Sequence, residues 1–173
     1  KTDGFICKLS RNGDYLWTNV IGSTNLDRIE AIATDQLGNI YSVGGFMDTV
    51  DFDAGTGVFN LTSTGGIDVF IHKTNATGGF EWAVQMGSTD FDESLSVAVD
   101  AAGNVYTTGY FQGTVDFDPG VGVFELISEG SYDIFIQKLD PNGNFIWANS
   151  MGGNSSANEL GSSITTDLNG NIY

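Results

Sequence analysis

The stretch DAAGNVYTTGYFQGTVDFD at residues 100–118 decides the fold, because residues 35–53 carry a near copy of it, DQLGNIYSVGGFMDTVDFD. The two copies lie 65 residues apart, and an ungapped comparison of residues 3–67 with 68–132 gives 29 identities in 65 positions. Self-similarity at a fixed period indicates a repeat protein, in which each unit buries its faces against its neighbours. The period therefore predicts the organisation of the whole chain.

The period divides residues 1–173 into two complete units and one partial unit. We assign repeat 1 to residues 3–67, repeat 2 to residues 68–132 and a partial repeat 3 to residues 133–173. Because the chain starts and stops inside a repeat, we expect it to be a fragment of a longer repeat array. It contains no run of about 18 apolar residues, so we expect no membrane insertion.

Short β-branched and aromatic segments, separated by turn residues, predict an all-β chain. In repeat 2 we predict a hairpin from residues 94–100 and 105–111, joined by the turn at Asp100–Asn104. The Asp carboxylate caps the turn amides, and Gly takes the left-handed backbone conformation. A second hairpin follows at residues 133–139 and 145–148. Four antiparallel strands per unit are therefore expected.

Four antiparallel strands in a repeated unit are typical of a β-propeller blade. Blades usually take about 40–50 residues, so a period of 65 leaves an additional segment in each unit. This segment, residues 47–67 and 112–132, alternates enough to form an extra hairpin. We predict an all-β, propeller-type array of about three blades. Propeller rings have about 4–8 blades, so either further blades or further copies of the chain would complete a ring.

The sequence resembles the bacterial seven-bladed β-propeller repeat family, SBBP, of secreted proteins from Bacteroidetes-type bacteria. The resemblance covers essentially the whole chain, and its motifs are residues 100–120 and residues 133–148. It implies a secreted or cell-surface array, exported in many members by the type IX route, with no assigned activity. A localisation outside the cell is expected on this ground.

The charge of the chain excludes some classes of partner. With 22 acidic and 6 basic residues, the net charge is −16. Such a chain repels phosphate backbones and anionic membrane surfaces, so we expect no nucleic-acid partner. Cations and neutral surfaces fit better, although acidity also serves to keep a β-rich array soluble.

The residues that carry most catalytic chemistry are scarce. The chain has one Cys and one His, and Cys7, His72 and Gln137 occupy the same repeat position. Three side-chain types at one position indicate that neither a thiol nor an imidazole is required there. We therefore predict no enzymatic activity for this stretch.

Paired carboxylates give the one candidate site. Asp51 and Asp53 recur as Asp116 and Asp118, and residues at i and i+2 of a strand face the same side. Because the pair occurs in each complete repeat, it is typical of a structural element of the repeat and not of a single active site. Carboxylates beside a Gly-containing turn suit Ca²⁺, so these four residues are candidate calcium ligands. Alternatively, they cap the turn or pair with Lys.

At two further repeat positions, the same residue type occurs in all three repeats. We call the set of residues at one repeat position a column. Lys8, Lys73 and Lys138 are half of all basic residues, and in so acidic a chain we expect them to pair with a repeated carboxylate. Trp17, Trp82 and Trp147 are expected to pack between blades, with a sugar-binding platform as the alternative.

The function that these features favour is an extracellular structural or adhesive scaffold, or a protein-interaction module. Its partners would be other blades, other copies of the chain, or surface proteins and glycans. One alternative is a carbohydrate-binding or glycan-processing propeller whose site lies in other blades. Another is a subunit of a surface ring or filament that associates through unpaired strand edges.

Overall fold

A computed structural model describes residues 2–154 and 156–173, and these described residues form fourteen β-strands. In chain order they are β1 (Gly4–Leu9), β2 (Tyr15–Ile21), β3 (Arg28–Thr34), β4 (Ile40–Phe46), β5 (Thr49–Asp51), β6 (Asn60–Thr62), β7 (Asp68–Thr74), β8 (Phe80–Met86), β9 (Glu93–Val99), β10 (Val105–Phe111), β11 (Thr114–Asp116), β12 (Glu125–Ile127), β13 (Asp133–Leu139) and β14 (Phe145–Met151). Over this described part of the chain, no helix has the length and apolar character needed to cross a bilayer.

Eight of these strands form two four-stranded antiparallel sheets. The first sheet has the order β3-β4-β7-β8, and the second has the order β9-β10-β13-β14. The predicted four-stranded antiparallel unit is therefore confirmed, with strand β10 at the predicted residues and β9 shifted by one. We call β3–β4 and β9–β10 the inner hairpins, and β1–β2, β7–β8 and β13–β14 the outer hairpins. Because β4 pairs with β7 and β10 with β13, each sheet joins the inner hairpin of one sequence repeat to the outer hairpin of the next.

The chain also contains half of a unit at each end. Strands β1 and β2 form a separate antiparallel hairpin that corresponds to the outer half of a sheet. At the other end, the expected inner pair of repeat 3 is reduced to a bridge between Thr166 and Ile172, beside two hydrogen bonds between Thr165 and Tyr173. Of the strand equivalent to β4 and β10, the 173-residue sequence includes only Ile172 and Tyr173.

Each complete repeat has a segment in addition to the four strands of an ordinary blade. This segment forms a small hairpin, which we call the insertion. Strands β5 and β6 pair within residues 47–67, and β11 and β12 pair within residues 112–132, as predicted. Phe52 of the first insertion is fully buried, and its ring contacts those of Phe46 and Phe70 in the first sheet. Ile21 of β2 belongs to the same apolar cluster, so the insertion fills the space between the β1–β2 hairpin and the first sheet.

The main core lies between the two four-stranded sheets. Strand β9 packs against β3 and β4, so one sheet face covers the next. In β7, Val69 and Ile71 point into this core, while Phe70 and the next alternate residue, His72, point toward the first insertion. The second insertion joins the same core through Phe117. Face-to-face packing of four-stranded sheets is consistent with neighbouring propeller blades, and the described residues do not close into a ring.

Truncation of Phe52 tests the structural role of the insertion. The change Phe52→Ala removes a fully buried ring that three aromatic side chains contact, so it should lower the free energy of unfolding by about 3–5 kcal/mol. Urea denaturation would measure the loss. The control Phe91→Ala removes a ring that is 46% exposed and should cost less than about 1 kcal/mol. Equal losses in the two variants would show that the insertion does not support the sheets.

Candidate interaction surface

Three equivalent turns from successive repeats line one cavity of about 440 Å³. These are the turns of the inner hairpins, and the residues that border the cavity are 34–36, 99–102 and 166–170. Asp35, Asp100 and Asp167 occupy the same position in the three turns. The fold therefore brings together at one place carboxylates that lie about one period apart in the sequence.

Each of these carboxylates is held by four hydrogen-bond donors of its own turn. Oδ1 of Asp100 accepts from the backbone amides of Ala102 and Asn104, both at 2.9 Å. Its Oδ2 accepts from Nδ2 of Asn104 at 2.7 Å and from the Tyr106 hydroxyl at 3.0 Å. The same four bonds hold Asp35 and Asp167.

These hydrogen bonds keep the three carboxylates charged. Burial opposes ionisation of Asp35 and Asp100, but the hydrogen bonds outweigh it and lower the pKa of both groups. At Asp167 the hydrogen bonds from Asn171 are the main cause of a lowered pKa. A carboxylate has about four lone-pair sites, and four donors already occupy them. The cavity therefore presents negative charge with little capacity to bind a metal ion directly.

Exposed apolar side chains border the same turns. Leu37 is 81% exposed, and Leu168 is fully exposed at the equivalent position of the third turn. Ala102 lies at that position in the second turn. Negative charge beside exposed apolar side chains suits a partner segment that combines basic and apolar residues.

The four predicted calcium ligands lie elsewhere, in the insertions. Oδ1 of Asp51 accepts from the amides of Asp53 and Phe59 at 3.0 and 2.8 Å, and Oδ1 of Asp53 accepts from the Gly55 amide at 2.8 Å. Asp116 and Asp118 repeat this arrangement. These bonds fit the alternative expectation, in which the carboxylates cap the turn. Among the described residues, no three His, Cys, Asp or Glu side chains cluster in a way that could hold a metal ion, and calcium binding stays a prediction.

Lys8 and Lys73 bind backbone carbonyls, so for these two lysines the expected pairing with a repeated carboxylate was wrong. Lys8 Nζ donates to the Ala76 carbonyl at 2.6 Å, and Lys73 Nζ donates to the Pro141 carbonyl at 3.1 Å. Lys73 also lies over the Tyr41 ring, 5.2 Å from its centroid. The carboxylates of the inner turns are already occupied by donors of their own turn, whereas the carbonyls of the next outer turn are within reach.

The tryptophan column packs on the same outer turns. The Trp82 indole donates from Nε1 to the Pro141 carbonyl at 3.1 Å and lies against Gly143, where a Cβ would be 3.2 Å from the ring. Trp17 lies against Gly78 in the same way. Lys and Trp of one unit thus contact the outer turn of the next, and we call this arrangement the Lys–Trp turn contact. It agrees with packing between units and leaves these two rings poorly placed as sugar platforms.

The column of Cys7, His72 and Gln137 has no common chemistry. Cys7 is exposed, whereas the other two side chains are fully buried. His72 Nδ1 lies 3.2 Å from the Ser42 hydroxyl, and burial lowers the pKa of His72 to about 4, so the ring is neutral at physiological pH. Gln137 donates to the Phe117 carbonyl at 2.6 Å. Each of the two buried side chains thus has a different local partner, while Nε2 of His72 and Oε1 of Gln137 have none among the described residues.

Two buried carboxylates were not predicted from the sequence. Burial is the main cause that raises the pKa of Asp68, to about 6, and it also raises the pKa of Asp92. Asp68 Oδ2 accepts from the Thr64 amide at 2.8 Å, while its Oδ1 has no hydrogen-bond partner among the described residues. Gly87 faces this carboxylate, and a Cβ there would lie 2.3 Å from it. The recurrence of Gly22 and Gly87 opposite Asp3 and Asp68 is the sequence signal that could have revealed the contact.

Comparison with known proteins gives one informative relative. No protein-family model matches the chain, so its resemblance to the SBBP family stays a prediction. The chain is similar to an uncharacterized WD repeat-containing protein of Acanthamoeba polyphaga mimivirus, with 31% identity over 193 aligned positions. The match includes 95% of this chain and 13% of the relative, so the chain spans only a small part of that protein's length. The likeness and the four-stranded sheets together support a repeat protein of the β-propeller type.

The buried Asp68 should make stability depend on pH. Its folded pKa of about 6 exceeds the ordinary value of 3.8, so its stabilising contribution is complete below about pH 4 and is lost as the pH rises through about 6. A difference of about two pKa units corresponds to about 3 kcal/mol. Asp68→Asn should therefore become more stable relative to wild type by up to about 3 kcal/mol between pH 4 and pH 8, as measured by urea denaturation. A difference between Asp68→Asn and wild type that stays constant from pH 4 to pH 8 would contradict this.

Substitution of Asp116 separates turn capping from calcium binding. Asp116→Ala removes the acceptor of two backbone amides and should cost about 1–2 kcal/mol of unfolding free energy, whereas Asp116→Asn keeps an oxygen there and should cost less than half as much. Thermal unfolding with and without added Ca²⁺ would measure both effects. If Ca²⁺ raises the midpoint of the wild type and not that of Asp116→Asn, the carboxylates bind the metal.

Proposed function

We propose that the chain is part of a β-propeller scaffold that binds a protein partner at the inner-turn cavity. WD repeats are four-stranded propeller blades, and the mimivirus relative carries that name. Repeat arrays of this kind offer extended surfaces made of equivalent positions in successive units. The two packed four-stranded sheets of this chain support the same architecture.

The observation that carries the proposal is the convergence of Asp35, Asp100 and Asp167 in one cavity. Their oxygens are occupied by donors of the turns, so the carboxylates act through their charge and not through direct coordination. The fully exposed side chain of Leu168, which lines the cavity, adds apolar contact area. A basic segment of a protein with one or two apolar side chains matches both properties.

A role without catalysis is part of the proposal. His72, the only His, is buried in the first sheet and stacks on Phe80 with 5.8 Å between ring centroids. Because its pKa is lowered to about 4, it is a poor proton donor near neutral pH and has no access to substrate. Cys7, the only Cys, is exposed on a hairpin outside the cavity.

Display outside the cell and an adhesive role are also proposed, on the strength of the SBBP resemblance. Many equivalent weak contacts on a repeat array can replace one deep site through avidity. Protein partners fit the packing of Trp17 and Trp82 better than glycans do, since these rings lie against the glycines of neighbouring turns.

A matched pair of variants tests the cavity. Asp100 and Asp140 each accept hydrogen bonds from two backbone amides of their own turn. The substitutions Asp100→Asn and Asp140→Asn each remove one negative charge from such a turn. Only Asp100 lines the cavity. Binding of a fluorescent Lys/Leu peptide to the 173-residue chain should weaken about twofold to fivefold in Asp100→Asn, the factor for an exposed charge pair. It should be unchanged in Asp140→Asn, and equal effects of the two substitutions would contradict binding at the cavity.

A further inference from the structure

The two insertions have equivalent strands but different outer surfaces. At three positions, the second insertion and the adjacent strand β14 carry an exposed apolar side chain where the first insertion and β8 carry a polar or charged one. The three pairs, second repeat unit first, are Val121 and Thr56, Ile127 and Thr62, and Ile146 and Glu81. These differences make the outer surface of the second insertion the more apolar of the two.

The exposure of this surface does not depend on where the sequence ends. The three polar equivalents in the first insertion and β8 are exposed although a complete sheet and insertion follow them. Val58 and Val123 are 72% and 73% exposed, and Phe59 and Phe124 are both 38% exposed. The two insertions therefore have the same surroundings, and a unit that followed the second one would leave its surface exposed as well.

Alternation along β12 places several of these side chains on one face. Leu126 packs against the main core, so its neighbours Glu125 and Ile127 point outward. Val123 lies two residues before Glu125 and continues this outward row. Ile127 is 63% exposed, and the row therefore presents apolar side chains on both sides of a charged one.

Strand β14 extends the apolar surface. The Phe124 ring of the insertion contacts the Phe145 ring of β14, with 4.9 Å between the centroids, so the next residue, Ile146, lies beside the insertion. We give the name insertion patch to the side chains of Val121, Val123, Ile127 and Ile146. Soluble proteins rarely expose contiguous apolar patches that have no role in binding.

The first insertion shows which polar group this backbone binds. The Thr62 amide donates to Oε1 of Gln85 at 3.1 Å, and Nε2 of Gln85 donates to the Thr62 carbonyl at 2.8 Å. One carboxamide thus pairs with both backbone groups that face away from β5. In the second insertion, Ile127 stands at the position of Thr62, and the much shorter Ser150 stands at that of Gln85. Among the described residues, no group bonds the outward amide and carbonyl of Ile127.

The second insertion also carries a pair of negative charges. Asp116 and Glu125 lie directly opposite each other on β11 and β12, whereas the first insertion has Asp51 opposite Asn60. Like charges at directly opposite positions repel, so a cation beside them stabilises the pair. A Lys or Arg side chain of a partner supplies such a cation, and the net charge of −16 favours a basic partner.

We propose that the insertion patch binds a short segment of a protein partner that combines apolar side chains, a Gln or Asn, and a Lys or Arg. The carboxamide takes the place of Gln85 and pairs with the backbone amide and carbonyl of Ile127. The basic side chain lies beside Asp116 and Glu125, and the apolar side chains cover the patch. None of the patch residues lines the inner-turn cavity, so this binding is independent of the function proposed above.

Peptide selection against a matched variant tests the proposal. The triple variant Val121→Thr, Ile127→Thr, Ile146→Glu of the 173-residue chain has the residues of the first repeat unit at these exposed positions and should fold like wild type. Random peptides displayed on phage are selected on wild type after removal of those that bind the triple variant. Selected peptides should combine apolar residues with Gln or Asn and with Lys or Arg. They should bind the triple variant at least about tenfold more weakly, because apolar contacts are lost.

Substitutions of Ser150 and Glu125 test the two polar contacts separately. Ser150→Gln supplies the carboxamide from within the chain and should weaken the selected peptides at least about tenfold. The control Ser150→Ala removes only a hydroxyl and should leave their affinity unchanged. Glu125→Asn restores the neutral residue of the first insertion and should weaken them about twofold to fivefold, the factor for an exposed charge pair.

Three outcomes would overturn the proposal. The first is a selection that gives no peptide able to distinguish wild type from the triple variant, and the second is equal affinity for wild type and Ser150→Gln. The third is self-association of wild type in sedimentation that the triple variant abolishes, because a second copy of the chain would then cover the patch. Asp100→Asn should leave the affinity of the selected peptides unchanged, which keeps this test apart from that of the inner-turn cavity.

Discussion

The structure depends on one contact, the burial of each sheet face by the face of the next sheet. A four-stranded sheet of this length has two apolar faces and cannot shield both of them alone. The apolar core shared by Val43, Ile71, Val97 and Phe135 joins both sheets and gives most of the burial. The Lys–Trp turn contact fixes which turn of the next sheet is reached, since Trp82 packs closely on Gly143, where a Cβ would lie 3.2 Å from the ring. Burial thus supplies stability, and the turn contact supplies register.

One type of turn serves two purposes in the repeat. At the outer turns, the capping residue is Ser10, Asn75 or Asp140, so any side chain with an accepting oxygen closes the turn. At the inner turns it is Asp in all three repeats. There the second carboxylate oxygen accepts from an Asn and a Tyr of the same hairpin, as Asn104 and Tyr106 show. Because the inner turn needs two accepting oxygens at this position, an Asp there places its negative charge at the cavity. The charged binding surface is therefore a consequence of the local structure of the turn.

The parts of the structure that local sequence determines were predictable. The turn at residues 100–104, the strand at residues 105–111 and the extra hairpin each follow from alternation and turn residues, and the period identified their copies. The cavity was not predictable, because no local pattern shows that Asp35, Asp100 and Asp167 converge. The partner of Lys73 was predicted incorrectly because charge counting favours a carboxylate, whereas geometry brings the Pro141 carbonyl closer. Asp68 was missed because a buried carboxylate contradicts the general preference of charged groups for water.

Variation at the position of Cys7, His72 and Gln137 shows where the repeat tolerates change. His72 finds Ser42 inside its own sheet, and Gln137 finds the Phe117 carbonyl in its own insertion. A polar group whose hydrogen-bond partner lies within its own unit makes that bond without any group of the next unit. At the outer turns, the contacts of Lys8 and Lys73 with the next unit use backbone carbonyls, which depend little on the side chain of the accepting residue. The repeat can therefore diverge inside each unit and at its exposed turns while successive units still fit together, and this separation is what allows such an array to acquire new binding surfaces without loss of its fold.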